Sequence, residues 1–211
     1  MIIENNRIEY RKAAKKVAQL KLLIVGQDPY PRGSNGIAFC KNTFDELFDQ
    51  YCCGKEVLFS LGYSEDMIRS DFSSPKELFF HLLSNGIAFI NVSSVLLDFA
   101  DDESIKDDIE YNSLFLDKAF SVVILGKSKA MELFKLNYPK HEVGEALLHP
   151  SGKAKEFNKT EWNNKWAQPY LKKEFLDNFN TKELRMELEK YFDLTIENKE
   201  LYSAGEVLRR I

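Results

Sequence analysis

A carboxylate at Asp28, a carboxamide at Asn91 and an imidazole at His149 each stand at the end of a short apolar run. Brought to one cleft, these three groups could run general-base or electrophilic chemistry. Gln27 and Tyr30 flank the acid, Lys127 and Ser128 follow a further apolar run, and Ser151 follows the histidine. Other familiar chemistries fail on spacing. His81, His141 and His149 have no tight relation to carboxylates or cysteines, so no metal is expected. The three cysteines, two of them adjacent at Cys52 and Cys53, make neither a disulfide framework nor a ligand set. Gly126-Lys127-Ser128 resembles the end of a phosphate loop, but Ser121 occupies the position where its first glycine belongs. No serine sits in a Gly-x-Ser-x-Gly elbow, and no cofactor is expected.

The elements that must position these groups follow from the hydrophobic pattern. Leu20–Val25 is apolar except at Lys21, which suits a parallel strand buried on both faces. Gly26 and two prolines, Pro29 and Pro31, then end it. Further strands are expected at Ile87–Ile90, Val122–Leu125 and, more weakly, Val143–Leu148. Helices are expected over 5–19, 43–51, from Pro75 to about Leu83, over 111–120, and from Ser128. On the first of these, Ile8, Ala14 and Val17 or Ala18 would face the core, and Arg7, Arg11, Lys12, Lys15 and Lys16 the solvent. Ser74 would cap the third helix, with Pro75 at its first position. Residues 54–63 are ambiguous between a turn and a helix end, and 101–110 reads as an exposed loop or helix start. Asn180 and Glu183 suggest a capping box in a charged, helical tail.

Four apolar runs separated by helices predict an α/β fold, three-layer α/β/α with a central four-stranded parallel sheet. Such a sheet gathers the carboxyl ends of its strands, and the candidate groups with them, on one edge. The hexapeptide Ser-Asn-Gly-Ile-Ala-Phe occurs at 34–39 and again at 84–89, which reads as chance reuse rather than duplication.

A chain of 211 residues, 44% apolar and 29% charged, can bury one substantial core. No apolar segment is long enough to cross a bilayer, and the amino terminus has no signal-peptide core, so a cytoplasmic monomer is the expectation. The net charge of −4 counts against a broad nucleic-acid footprint but leaves room for a local groove.

Gly26-Gln27-Asp28-Pro29-Tyr30, then Gly36-Ile37-Ala38-Phe39, Asn91 after an apolar strand, and His149-Pro150-Ser151 together resemble family-1 uracil-DNA glycosylases. The resemblance runs from the first strand to His149 and on towards Trp166. It implies a glycosylase-like domain over residues 1–170 and a helical extension over 171–211 packed on it. It also implies hydrolysis of the N-glycosidic bond of uracil in DNA, without a cofactor. Asp28 would stabilise the cationic sugar and orient a water, and His149 would donate to uracil O2. Gln27 would meet the base through its backbone, Asn91 would pair with its edge, Phe39 would stack on it, and Tyr30 would stand where thymine carries its methyl. Ser74, Pro75, Ser128, Ser151 and Lys153 would hold the DNA.

Plainer roles exist for each: Asp28 as a turn cap, Tyr30 and Phe39 as core aromatics, Asn91 at a strand-end turn, His149 as a structural residue, Ser74-Pro75 as a helix start. The chain also departs from the family. The loop from Tyr30 to Phe39 is short, Pro31 replaces the commoner histidine, and Lys153 falls where an apolar leucine wedge belongs. That departure implies a preference for single-stranded or distorted DNA. Alternatives within the resemblance are a glycosylase for another damaged base and a non-catalytic DNA-binding relative.

Overall fold

The structure, a computed structural model, describes residues 2–126, 128–143 and 146–150. In chain order the elements are α1 (Ile2–Lys16), β1 (Leu22–Gly26), α2 (Phe44–Leu47), α3 (Cys53–Ser60), α4 (Glu65–Asp71) and α5 (Pro75–Ser84). After these come β2 (Ile87–Asn91), a 3-10 turn (Leu97–Phe99), α6 (Asp102–Leu116), β3 (Val122–Leu125), α7 (Lys129–Asn137) and β4 (Ala146–Leu147). The strands form one parallel sheet in the order β2-β1-β3-β4. β1 lies inside it, and all five of its residues are buried, as its unbroken apolar run requires. With the right-handed crossovers that parallel strands take, the order β2-β1-β3-β4 sets α5 on one face and α6 and α7 on the other.

α1 closes an edge. β2 borders the sheet, and its unpaired backbone groups would otherwise meet water or another strand. Tyr10 fills that space: its hydroxyl accepts a hydrogen bond from the Phe89 N–H at 3.2 Å. Its ring meets Phe80 of α5 edge-on at 5.4 Å and stacks on Phe115 of α6 at 5.8 Å. The buried face of α1 therefore runs through Asn6, Tyr10 and Ala14. Ile8, expected inside, is 42% exposed, and Arg7, expected in solvent, is half-buried against Asp108. The reason is that a tyrosine with a backbone partner takes the buried face, and Ile8, two residues away, falls on the far side of the helix. α1 also starts and stops three residues earlier than its pattern suggested.

Elsewhere the pattern and the structure diverge where burial is uniform. The ambiguous 54–63 stretch is largely the helix α3, buried from Cys53 through Leu58, so it has no polar face to mark it. α4 was not anticipated, although Ser64 caps it by accepting from the Met67 N–H. The acidic run opens α6 with a capping box between Asp101 and Ser104. β4 is two residues long, a short outer strand. No helix among the described residues is long and apolar enough to cross a membrane. The capping box expected at Asn180 and the extension over 171–211 lie outside the described residues.

Candidate active site

Asn91 closes β2, Asp28 follows β1 and His149 follows β4, all at carboxyl ends of one parallel sheet, and β1 and β2 are in register with Gly26 opposite Asn91. The pairing continues past the strands: Val92 N–H donates to the Gly26 carbonyl at 2.9 Å, and Ser93 N–H to that of Gln27 at 3.0 Å. Gly26 is required here by close approach. A Cβ on it would lie 2.5 Å from Asn91 Oδ1 and 2.9 Å from Phe39 Cζ. The carboxamide and the aromatic ring thus meet directly over the end of β1.

Asp28 is half-buried and lightly held. Leu97 N–H donates to Oδ2 at 3.3 Å, and Gln27 Nε2 to Oδ1 at 3.4 Å. Among the described residues each carboxylate oxygen has one long donor, and it keeps lone pairs for other partners. His149 is pushed below the ordinary histidine pKa by burial, which disfavours the imidazolium. The charge of Asp28 acts on it in the opposite direction, which places the two side chains within one electrostatic neighbourhood. Burial prevails, and the neutral imidazole is favoured over the imidazolium more than in a free histidine.

Tyr30 and Asn91 line one cavity of about 380 Å³, with Pro29, Ala38, Ser94 and Asn112 among its other walls. The Tyr30 hydroxyl accepts from the Gly54 N–H at 2.8 Å and lies 3.1 Å from Cys53 Sγ. Lys41 Nζ stands 3.9 Å from the centre of its ring. Phe39 is buried and holds a φ of +63°, a left-handed conformation that a non-glycine residue rarely adopts.

Asn91 is braced from behind by α6. Asn112 Nδ2 donates to the Asn91 carbonyl at 2.9 Å and to the Tyr138 hydroxyl at 2.8 Å. Asp108 accepts from the Ser94 N–H at 2.8 Å and pairs with Arg7. Burial raises the Asp108 pKa, against the opposing pull of the Ser94 bonds and of Arg7. Sequence reading passed over Asp108, Asn112, Leu97 and Gly54. Only the first two left a signal: polar residues four apart share one face of a helix.

The candidate DNA contacts divide. Ser74 caps α5, accepting from the Glu77 N–H at 3.2 Å, and Pro75 takes the first helical position. Both therefore serve the helix start that the sequence allowed them. Ser128 is exposed at the start of α7 and makes no capping bond. α5 and α7 lead into β2 and away from β3 respectively, so both amino termini face the carboxyl edge of the sheet. Ser151 and Lys153, and Lys127 beside Ser128, lie outside the described residues. No cluster of histidine, cysteine or acidic side chains suited to a metal occurs among the described residues. The chain matches no protein-family model, and no curated protein matches it.

Proposed function

We propose that this protein is a DNA glycosylase that hydrolyses the N-glycosidic bond of uracil, releasing the free base and leaving an abasic site. The observation that carries the reading is the approach of the Asn91 amide and the Phe39 ring to Gly26, together with a buried His149 that feels the charge of Asp28. The target base enters extrahelically, because a stacked base cannot reach such groups; extrusion costs a few kcal/mol. Phe39 stacks on it, and the Asn91 amide offers one donor and one acceptor, the complement of uracil's N3–H and O4.

As the C1′–N1 bond breaks, negative charge gathers on uracil O2 and positive charge on the sugar. A neutral imidazole can donate to that oxygen without leaving a buried cation behind, a contribution of about 2.7–4 kcal/mol per donor. The Gln27 carbonyl is committed to Ser93, so its backbone contact to the base falls to the amide N–H. Asp28 stabilises the cationic sugar and orients the water, whose oxygen bonds to C1′ while its proton passes to the carboxylate. The uracil anion departs with the bonding pair.

The Ser74 hydroxyl accepts within its cap and keeps its proton for a phosphate, and the starts of α5 and α7 offer backbone donors. Ser128, Ser151 and Lys153 complete the proposed grip on single-stranded or distorted DNA. The protein acts as a cytoplasmic monomer without a cofactor.

The test is incubation with single- and double-stranded uracil oligonucleotides in EDTA, followed by alkaline cleavage of abasic sites. Cleavage should survive the chelator and fall by roughly 10²–10³-fold or more in Asp28→Asn and in His149→Ala. Cleavage at hypoxanthine but not uracil would redirect the reading to another damaged base. Gel retardation without cleavage would make the protein a binder.

A further inference from the structure

α3 begins against both aromatic walls of the proposed base site. The Gly54 N–H holds the Tyr30 hydroxyl at 2.8 Å, and Cys52 Sγ and Cys53 Sγ lie 3.2 and 3.1 Å from the same oxygen. That hydroxyl is thus engaged on the side of α3. A Cβ on Gly54 would lie 2.1 Å from the Phe39 carbonyl oxygen and 3.1 Å from the Tyr30 hydroxyl. The nearer clash is with backbone, which cannot swing aside as a side chain can. Phe39 itself holds its left-handed φ, a conformation that persists only where the surroundings over-determine it. One glycine therefore joins a helix start, a tethered phenol and a strained aromatic residue.

We propose that Gly54 is a positioning residue of the base site: it lets α3 seat on the Phe39 carbonyl while its N–H holds Tyr30, and so sets the gap between the two rings that bars pyrimidines substituted at C5. The identity of the base rests on the glycosylase reading, whereas the joint itself does not. Lengthening residue 54 by one methyl pushes α3 from Phe39 and frees Tyr30 to turn. A wider gap admits the methyl group of thymine. Removing only the Tyr30 hydroxyl should have the same effect without touching Gly54.

The full chain, Gly54→Ala and Tyr30→Phe are compared in two assays. The first measures release of base from oligonucleotides carrying a single uracil or a single thymine. The thymine-to-uracil ratio of kcat/KM should rise roughly 10- to 200-fold in both variants, the range over which one methyl group discriminates in an apolar pocket. The second measures the rate at which the buried thiols react with an aromatic disulfide reagent, relative to global unfolding in urea. It should accelerate in Gly54→Ala, because Cys52 and Cys53 lie against the joint. An unchanged ratio in folded, active Gly54→Ala overturns the proposal. If that variant does not fold, the ratio in Tyr30→Phe decides alone. If the full chain releases no uracil, the glycosylase reading fails and the thiol rates judge the joint: acceleration keeps it, and equal rates remove it.

Discussion

His149 owes its neutrality to burial, and Asp28 pulls against it. The sign of that coupling is measurable. With the carboxylate replaced by an amide in Asp28→Asn, the opposing charge disappears and the His149 pKa should fall further below the ordinary value of about 6.5. Proton NMR of the imidazole C–H signals across the acid range checks this, and an upward shift would mean that the two side chains do not face each other. The same depression sets the direction of the pH response. Because the folded value lies below the unfolded one, the neutral imidazole favours the fold above the unfolded pKa. That contribution is lost as pH falls through the folded value. Donation to O2 as a neutral group should fade over the same interval, so the acidic limb of the rate profile should lie below pH 6.5. At this scale the sequence was readable because the residues within each of GQDPY, GIAF and HPS are contiguous in the chain. The partners that brace them were not, since Leu97 reaches Asp28 across 69 residues and Asn112 reaches Asn91 across 21.

Identical words need not make identical elements. Ser-Asn-Gly-Ile-Ala-Phe at 84–89 closes α5 and enters β2, because β1 pairs with Ile87 onward. At 34–39 the same six residues form a bent loop whose last member turns left-handed. Local propensity was equal, and the neighbouring strand decided. The strands were legible in β1, β2 and β3, where both faces are buried and the apolar run is continuous. α3 was not, because even Lys55 is buried there, with its ammonium on the carbonyls of Phe48 and Asp49. The cover over the β2 edge gives a test at this scale. Tyr10→Phe keeps the ring contacts but leaves the Phe89 N–H without its acceptor. A buried donor without a partner costs about 1–3 kcal/mol. Urea unfolding should show a lower midpoint with an unchanged slope, and a changed slope would mean that α1 had detached.

Over the whole molecule, acidic groups outnumber basic ones, 33 to 29, so an approaching polyanion meets no general attraction. The proposed DNA edge offers hydroxyls and helix starts in place of a lysine cluster. Few counterions would then be released on binding. The slope of log K against log salt on single-stranded DNA should be no steeper than about −2, as expected for about three neutralised phosphates. Fluorescence anisotropy from low to moderate salt measures it, and a slope several times steeper would point to a basic track elsewhere on the chain. Composition alone sets this expectation, and it carries no information on where neutral contacts would lie.

The seat of Tyr10 also bears on how the chain comes to be folded. Its hydrogen-bonding partner lies 79 residues downstream, and the ring on which it stacks, Phe115, further still. During synthesis α1 thus leaves the ribosome well before its packing partners and waits until Phe89 and Phe115 have followed it. Once β2 has formed, its border stays bare until α1 docks, and for that interval another nascent chain could add to it.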